Sequence, residues 1–199
     1  SALASPRNWV YLCAMAKGLP RWAEIGRLGW VNTGSRRPAF ADTPGPGQES
    51  VWDYPRPPAL VGDDRHVRVL LGDTVVADTR RAARVLETSH PPTFYLPRED
   101  VNDACLVRAE GRSGCEWKGV ARYWDVVAGA RREASVGWSY DAPFEEFVPI
   151  AGHIAFYASR LSCFVDGEPV GSQPGDFYGG WVTPELVGPF KGGAGSGGW

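Results

Sequence analysis

A mostly β fold with one or two short helices is predicted by three features of this chain. Apolar and polar residues alternate along Val67–Leu71, Cys115–Val127 and Glu133–Tyr140, the period of two that half-buried strands require. Turn signals separate such runs at Gly72-Asp73, Ala128-Gly129-Ala130 and Asp166-Gly167. The remaining apolar runs, Ile154–Tyr157 and Leu161–Val165, are too short for helices of ordinary length. At 199 residues and 43% hydrophobic content, one domain of ordinary size with extensions is expected.

Residues 1–30 show no strong period and are expected to be an N-terminal extension outside the fold. Met15-Ala16-Lys17-Gly18 would make a reasonable start, and residues 1–14 would then precede it. Residues 31–66 are rich in proline and glycine, a composition unsuited to a helix or central strand. Trp52 and Tyr54 within that stretch predict an arm pinned to the body by two rings.

The body is expected over residues 67–170, opening with the hairpin Val67–Leu71 and Thr74–Ala77. Asp78 or Thr79 suits the cap of a short helix through Arg80–Glu87, with Ala82, Val85 and Leu86 inward. A strand over Ala104–Ala109 ends at Gly111-Arg112-Ser113-Gly114, and a long one follows from Cys115 to Val127. Cys163–Val170 repeats the pattern of Val69–Val76, so the two hairpins can pair and close the domain. Residues 171–199 read as a glycine-rich tail.

The composition excludes several classes. A net charge of −2, with basic clusters scattered among acids, argues against a nucleic-acid partner. No apolar run approaches the ~20 residues that span a bilayer, and Trp9–Ala16 is too short for a signal peptide. Neither a membrane partner nor a secreted location is therefore expected. The four cysteines, Cys13, Cys105, Cys115 and Cys163, form no Cys-x-x-Cys pair. The reading is a cytoplasmic protein with reduced thiols, no metal and no cofactor.

Two segments concentrate chemistry. In Ser89-His90-Pro91-Pro92-Thr93-Phe94-Tyr95-Leu96-Pro97 the prolines stiffen the backbone that carries His90, Thr93 and Tyr95. Cys115-Glu116-Trp117-Lys118-Gly119 places a thiol, a carboxylate, an indole and an ammonium within four residues. Alternation along Cys115–Val127 would put Cys115, Trp117, Ala121 and Tyr123 on one face, and Glu116 and Lys118 together on the other. His90 has a pKa suited to general acid–base work, with a ring that merely braces the turn as the structural alternative. Cys115 is a candidate nucleophile or an inert small hydrophobe. Lys118 either pairs with Glu116 at the surface or meets an anionic group of a ligand. Trp117, Tyr123, Trp138 and Tyr140 read as core or as the walls of a cavity, with His153 and Tyr157 beside them.

These strings, the first of them taken from Glu87 to Pro97, with Glu49–Pro58, Tyr123-Trp124, Gly152–Tyr157, Gly179-Gly180-Trp181 and Gly188–Gly193, resemble the bacterial family known as domain of unknown function 427. The resemblance covers about residues 36–199; Glu116 departs from it, since the family commonly has proline there. It implies a β-tent, or Mss4-like, fold of two small antiparallel sheets, similar to methionine sulfoxide reductase B and the thalidomide-binding domain of cereblon. The paired zinc-binding cysteines of those relatives are missing here. A nucleotidyltransferase label sometimes attached to the family needs a glycine turn before an Asp-x-Asp/Glu pair. Asp166-Gly167-Glu168 has the spacing without the preceding glycines and reads as a hairpin turn.

The expectation is a small polar or aromatic metabolite bound between two sheets. His90, Cys115 and Lys118 are the candidate catalytic groups; Thr93, Tyr95, Trp117, Tyr123, Trp138, Tyr140, His153 and Tyr157 are the candidate contacts. The alternatives are a protein-interaction module, with a second copy of the chain in a homodimer, and the nucleotidyltransferase.

Overall fold

A computed structural model describes residues 18–199; the expectations for residues 1–14, and for the start at Met15, lie outside the described residues. Helix α1 (Arg21–Gly26) is followed by fifteen strands. They are β1 (Glu49–Ser50), β2 (Ala59–Asp63), β3 (Val67–Leu71), β4 (Thr74–Thr79), β5 (Ala82–Leu86), β6 (Thr93–Tyr95), β7 (Leu106–Cys115) and β8 (Gly119–Ala128). Then come β9 (Arg131–Ser139), β10 (Ile154–Phe156), β11 (Ser162–Val165), β12 (Glu168–Pro169), β13 (Gly171–Ser172), β14 (Trp181–Val182) and β15 (Leu186–Val187). The protein is mostly β, as its alternation predicts.

Three antiparallel sheets organise it, with strand orders β2-β5-β6, β12-β11-β3-β4 and β10-β9-β8-β7. The two hairpins of similar pattern do pair: Cys163 lies opposite Val69 and Val165 opposite Val67. A bridge between Leu96 and Ile154 joins the end of β6 to β10 and so brings the first and third sheets edge to edge.

The helix expected over Arg80–Glu87 is instead strand β5, paired with β2 on one side and β6 on the other. Ala82, Val85 and Leu86 are buried as expected, but in three different clusters. A central strand is covered on both faces, and burial on both faces erases the alternation that would have identified it. Its partner β2 lies within the segment read as an arm.

A second correction concerns residues 104–127. Strand β7 runs through Gly111 and Gly114 to Cys115, with a register shift between Arg108 and Arg112. The glycines read as a break therefore sit in an irregular strand, where a bulge tolerates them. The turn falls at Glu116-Trp117-Lys118, so these three residues do not alternate along a strand. Glu116 and Lys118 do not share a strand face.

The largest core packs Val67, Val69, Leu96, Val126, Val136, Ile154 and Phe156 against Trp181, whose ring stacks on Phe94 at 4.9 Å. The residues 171–199 thus supply a fully buried tryptophan. In the proline-rich segment Trp52 is fully buried and Tyr54 nearly so, in a cluster with Val51, Leu86 and Leu186. Phe40 and Trp199 lie against Trp52 at 5.0 and 5.3 Å. Helix α1 crosses the Glu116–Lys118 turn, where Arg27 Nε donates to the Glu116 carbonyl at 2.7 Å.

Candidate functional site

Between the sheet β2-β5-β6 and the sheet β10-β9-β8-β7 lies a pocket of about 180 Å3. Strand β5 and the stiff segment after it contribute Val85, Glu87, His90, Thr93 and Tyr95. The β7–β8 hairpin contributes Ser113, Cys115, Trp117, Lys118 and Tyr123. Trp138, Tyr140 and Tyr157 close a third side, and Gln173, Tyr178, Gly179 and Lys191 come from the C-terminal segment.

The pocket therefore collects every candidate residue named from the sequence except His153. His153 follows the turn Glu145–Ile150, its N–H bonded to the Ile150 carbonyl, and is not among the pocket-lining residues. Sequence reasoning missed Trp30, Glu87 as a site group, Gln173, Tyr178 and Lys191. Glu87 stands at the head of the His-Pro-Pro segment, and Lys191 lies within one of the strings that carried the family resemblance. Nothing local placed Gln173 or Trp30 there.

The aromatic wall is tightly set. Trp138 lies 4.6 Å from Tyr157 and 6.4 Å, edge-on, from Tyr95, and its Nε1 donates to the Tyr95 hydroxyl at 3.3 Å. Gly179 is a glycine because of this wall: a Cβ there would come within 2.1 Å of the Trp138 ring. Burial raises the phenols of Tyr95 and Tyr140 above the ordinary tyrosine range and pushes Tyr157 up to about 12. All three present O–H groups at neutral pH.

The protonation of His90 follows from its neighbours. The Gln173 Oε1 accepts from the Gly180 N–H at 3.0 Å, and the Gln173 Nε2 donates to the Lys191 carbonyl at 2.8 Å. Backbone partners leave no choice about which end of the amide is which. The NH2 group therefore faces His90 Nδ1, 2.9 Å away, and donates to it. Nδ1 carries no proton, so Nε2 does. Burial pushes the imidazole down to about 4; Glu87 opposes this, while Lys191, Arg56 and Lys118 add to it. Neutral His90 is a hydrogen-bond donor at Nε2. To act as a base it would have to take a proton at Nδ1 and lose Gln173.

The charges are unevenly matched. Glu87 pairs with Arg56 at 3.2 Å, and Arg56 is itself nearly fully buried. Burial opposes the Glu87 charge, but His90, Lys118 and Arg56 outweigh it and hold the carboxyl below its usual range. Lys191 Nζ donates to the Trp199 main-chain oxygen at 2.8 Å and sits 4.5 Å from the Trp30 ring, on which Arg56 also stacks at 4.0 Å. Lys118 is only 8% exposed. Burial works against its charge, yet Cys115, Tyr95 and Glu87 around it outweigh that and keep its pKa above the ordinary lysine value. Among the described residues it makes no salt bridge; Phe147 lies 5.6 Å from its Nζ.

Asp166 and Glu168, the pair with nucleotidyltransferase spacing, lie away from this pocket in the β11–β12 turn. Asp166 Oδ1 accepts the His66 N–H at 2.8 Å, a structural use of the carboxylate.

The fold and the pocket define a mostly β protein with a small pocket between two antiparallel sheets. Residues 59–167, more than half of the chain, match the family described as Domain of unknown function (DUF427), and the chain belongs to that family. No curated protein matches it. Among the described residues, no helix is long and apolar enough to cross a membrane.

Proposed function

We propose that this protein binds a small polar or aromatic metabolite in the pocket between the two sheets, whose meeting the family resemblance would describe as a β-tent. The observation that carries the reading is Lys118: an ammonium withdrawn from water, with no carboxylate within salt-bridge distance among the described residues, beside a wall of tryptophan and tyrosine. A protein that only needed a core would do better with an apolar residue there, since burying a charge is costly unless it is matched. Pockets of this make-up, apolar walls with a few convergent polar groups, are typical ligand sites. Cys105, Cys115 and Cys163 are free thiols, which fits a reducing, cytoplasmic setting.

The hydrogen bonding of His90 supports binding over acid–base catalysis. Thermal-shift screening of the full chain against a metabolite library tests the proposal. A ligand at 100 times its Kd adds about 2.7 kcal/mol, an easily read rise in Tm. A library without any stabilising compound, together with an unchanged profile in Lys118→Met, would end the reading.

A further inference from the structure

Taking the pocket as a binding site, we infer that its occupant is a single-ring carboxylate: one aromatic or unsaturated six-membered ring bearing one carboxylate, seated with that group on Lys118 and the ring against Trp138 and Tyr157. Size sets the first limit. A cavity of about 180 Å3 falls below the ~300–1,000 Å3 of pockets that take drug-sized ligands. It is close to the ~150 Å3 engineered cavity that accepts one benzene. One ring with a small substituent fills that volume.

The wall sets the second limit. Trp138 and Tyr157, 4.6 Å apart and inclined at 45°, offer a ring both a face and an edge, as aromatic contacts favour. Gly179, also in the pocket lining, is held free of a side chain beside the Trp138 ring, so close backbone limits where that ring can sit.

Charge sets the third. Of the cations around the site, Arg56 is engaged by Glu87 at 3.2 Å and by the carbonyls of Asn32 and Thr88. Lys191 is engaged by the Trp199 oxygen at 2.8 Å. Glu116 lines the pocket as well, but its side-chain carbons pack toward Gly26 of α1. Among the described residues Lys118 remains as an ammonium with no carboxylate within salt-bridge distance and no carbonyl engaging it; Glu87 in the same pocket already meets part of its charge, so the complement is one negative charge rather than the two of a phosphate monoester. The His90 Nε2–H is a further donor and also favours an acceptor-rich group, whereas the Tyr157 hydroxyl already donates to the Phe177 carbonyl at 3.1 Å.

The test is a titration of the full chain, read by tryptophan fluorescence and calorimetry, with four probes: benzoate, benzamide (the same shape without charge), acetate (the charge without a ring) and phenyl phosphate (a dianion). Benzoate is expected to bind about ten-fold or more tightly than each of the others, the lower end of what one buried charge-assisted hydrogen bond supplies. Lys118→Met should remove the preference for benzoate over benzamide, and Lys118→Arg should keep part of it. Should Lys118→Met fail to fold, Lys118→Gln, which keeps a polar side chain of similar length without the charge, serves the same purpose. Benzamide binding as tightly as benzoate would overturn the anion and leave the pocket reading intact. Tighter binding of phenyl phosphate would overturn the carboxylate in favour of a phosphate. No binding by any of the four in the millimolar range overturns the inference outright. Only that result combined with a failed metabolite screen removes the pocket reading too.

Discussion

Gln173 donates to His90 Nδ1 at 2.9 Å across 83 residues of sequence, and this one bond decides which ring nitrogen bears the proton. The ring is held neutral from two directions: the amide NH2 repels a proton at Nδ1, and burial, with Lys191, Arg56 and Lys118 nearby, disfavours the imidazolium. Glu87 alone favours it.

Stability should therefore fall in mild acid in a way that depends on His90. Its folded pKa of about 4 lies below the ordinary 6.5. Above pH 6.5 both folded and unfolded chains hold neutral imidazole and nothing is lost. As pH falls from 6.5 toward 4 the unfolded chain takes up the proton first, and the folded state loses up to about 3 kcal/mol. His90→Asn keeps an acceptor for Gln173 and cannot titrate. Urea unfolding at pH 7 and pH 4.5 should show a smaller acid loss in that variant; parallel losses would mean the imidazole is not held neutral.

Gly179→Ala should disturb the pocket wall directly. The added methyl would sit within 2.1 Å of the Trp138 ring, so the ring must move or the segment must lift. Overpacking of this kind costs about 1–3 kcal/mol. A shifted tryptophan emission spectrum together with a lower Tm is expected. An unchanged spectrum would show that the wall has room the structure does not suggest.

Trp52→Ala should destabilise the fold by about 3–5 kcal/mol, the usual cost of truncating a buried tryptophan. The indole is fully buried and its Nε1 donates to the Pro189 carbonyl at 2.9 Å. Were the arm instead a clasp for a second copy of the chain, the variant would change its elution volume on sizing chromatography without losing stability.

Removal of residues 171–199 should abolish cooperative unfolding rather than trim a loose end. It takes away Trp181, which is fully buried, stacks on Phe94 and donates from Nε1 to the Phe156 carbonyl at 2.8 Å. It also takes Gln173 and Lys191 from the pocket. A truncated chain with a sharp urea transition of similar midpoint would show that the segment is dispensable.

Local patterns in the sequence determined much of the architecture. Alternation in Val67–Leu71 and the turn at Gly72-Asp73 require only neighbouring residues to agree, and the β3–β4 hairpin follows from them. The same holds for Asp166-Gly167 and the β11–β12 turn. Prolines stiffening His90–Pro97 and rings inside a proline-rich stretch were also readable locally, as was the mixture of thiol, indole and ammonium at Cys115–Lys118. Tertiary structure alone decided the rest. Ala82–Leu86 became a strand because β2 and β6 offer it hydrogen bonds on both edges, and no window of its own residues records that. Trp117 and Lys118 left the strand because the β7–β8 register places the turn there. Gln173, Trp30 and Lys191 reached the pocket through contacts spanning most of the chain. Residue type and spacing announce which groups are available for chemistry, but the proton on His90 and the buried charge on Lys118 depend on what stands next to them in space.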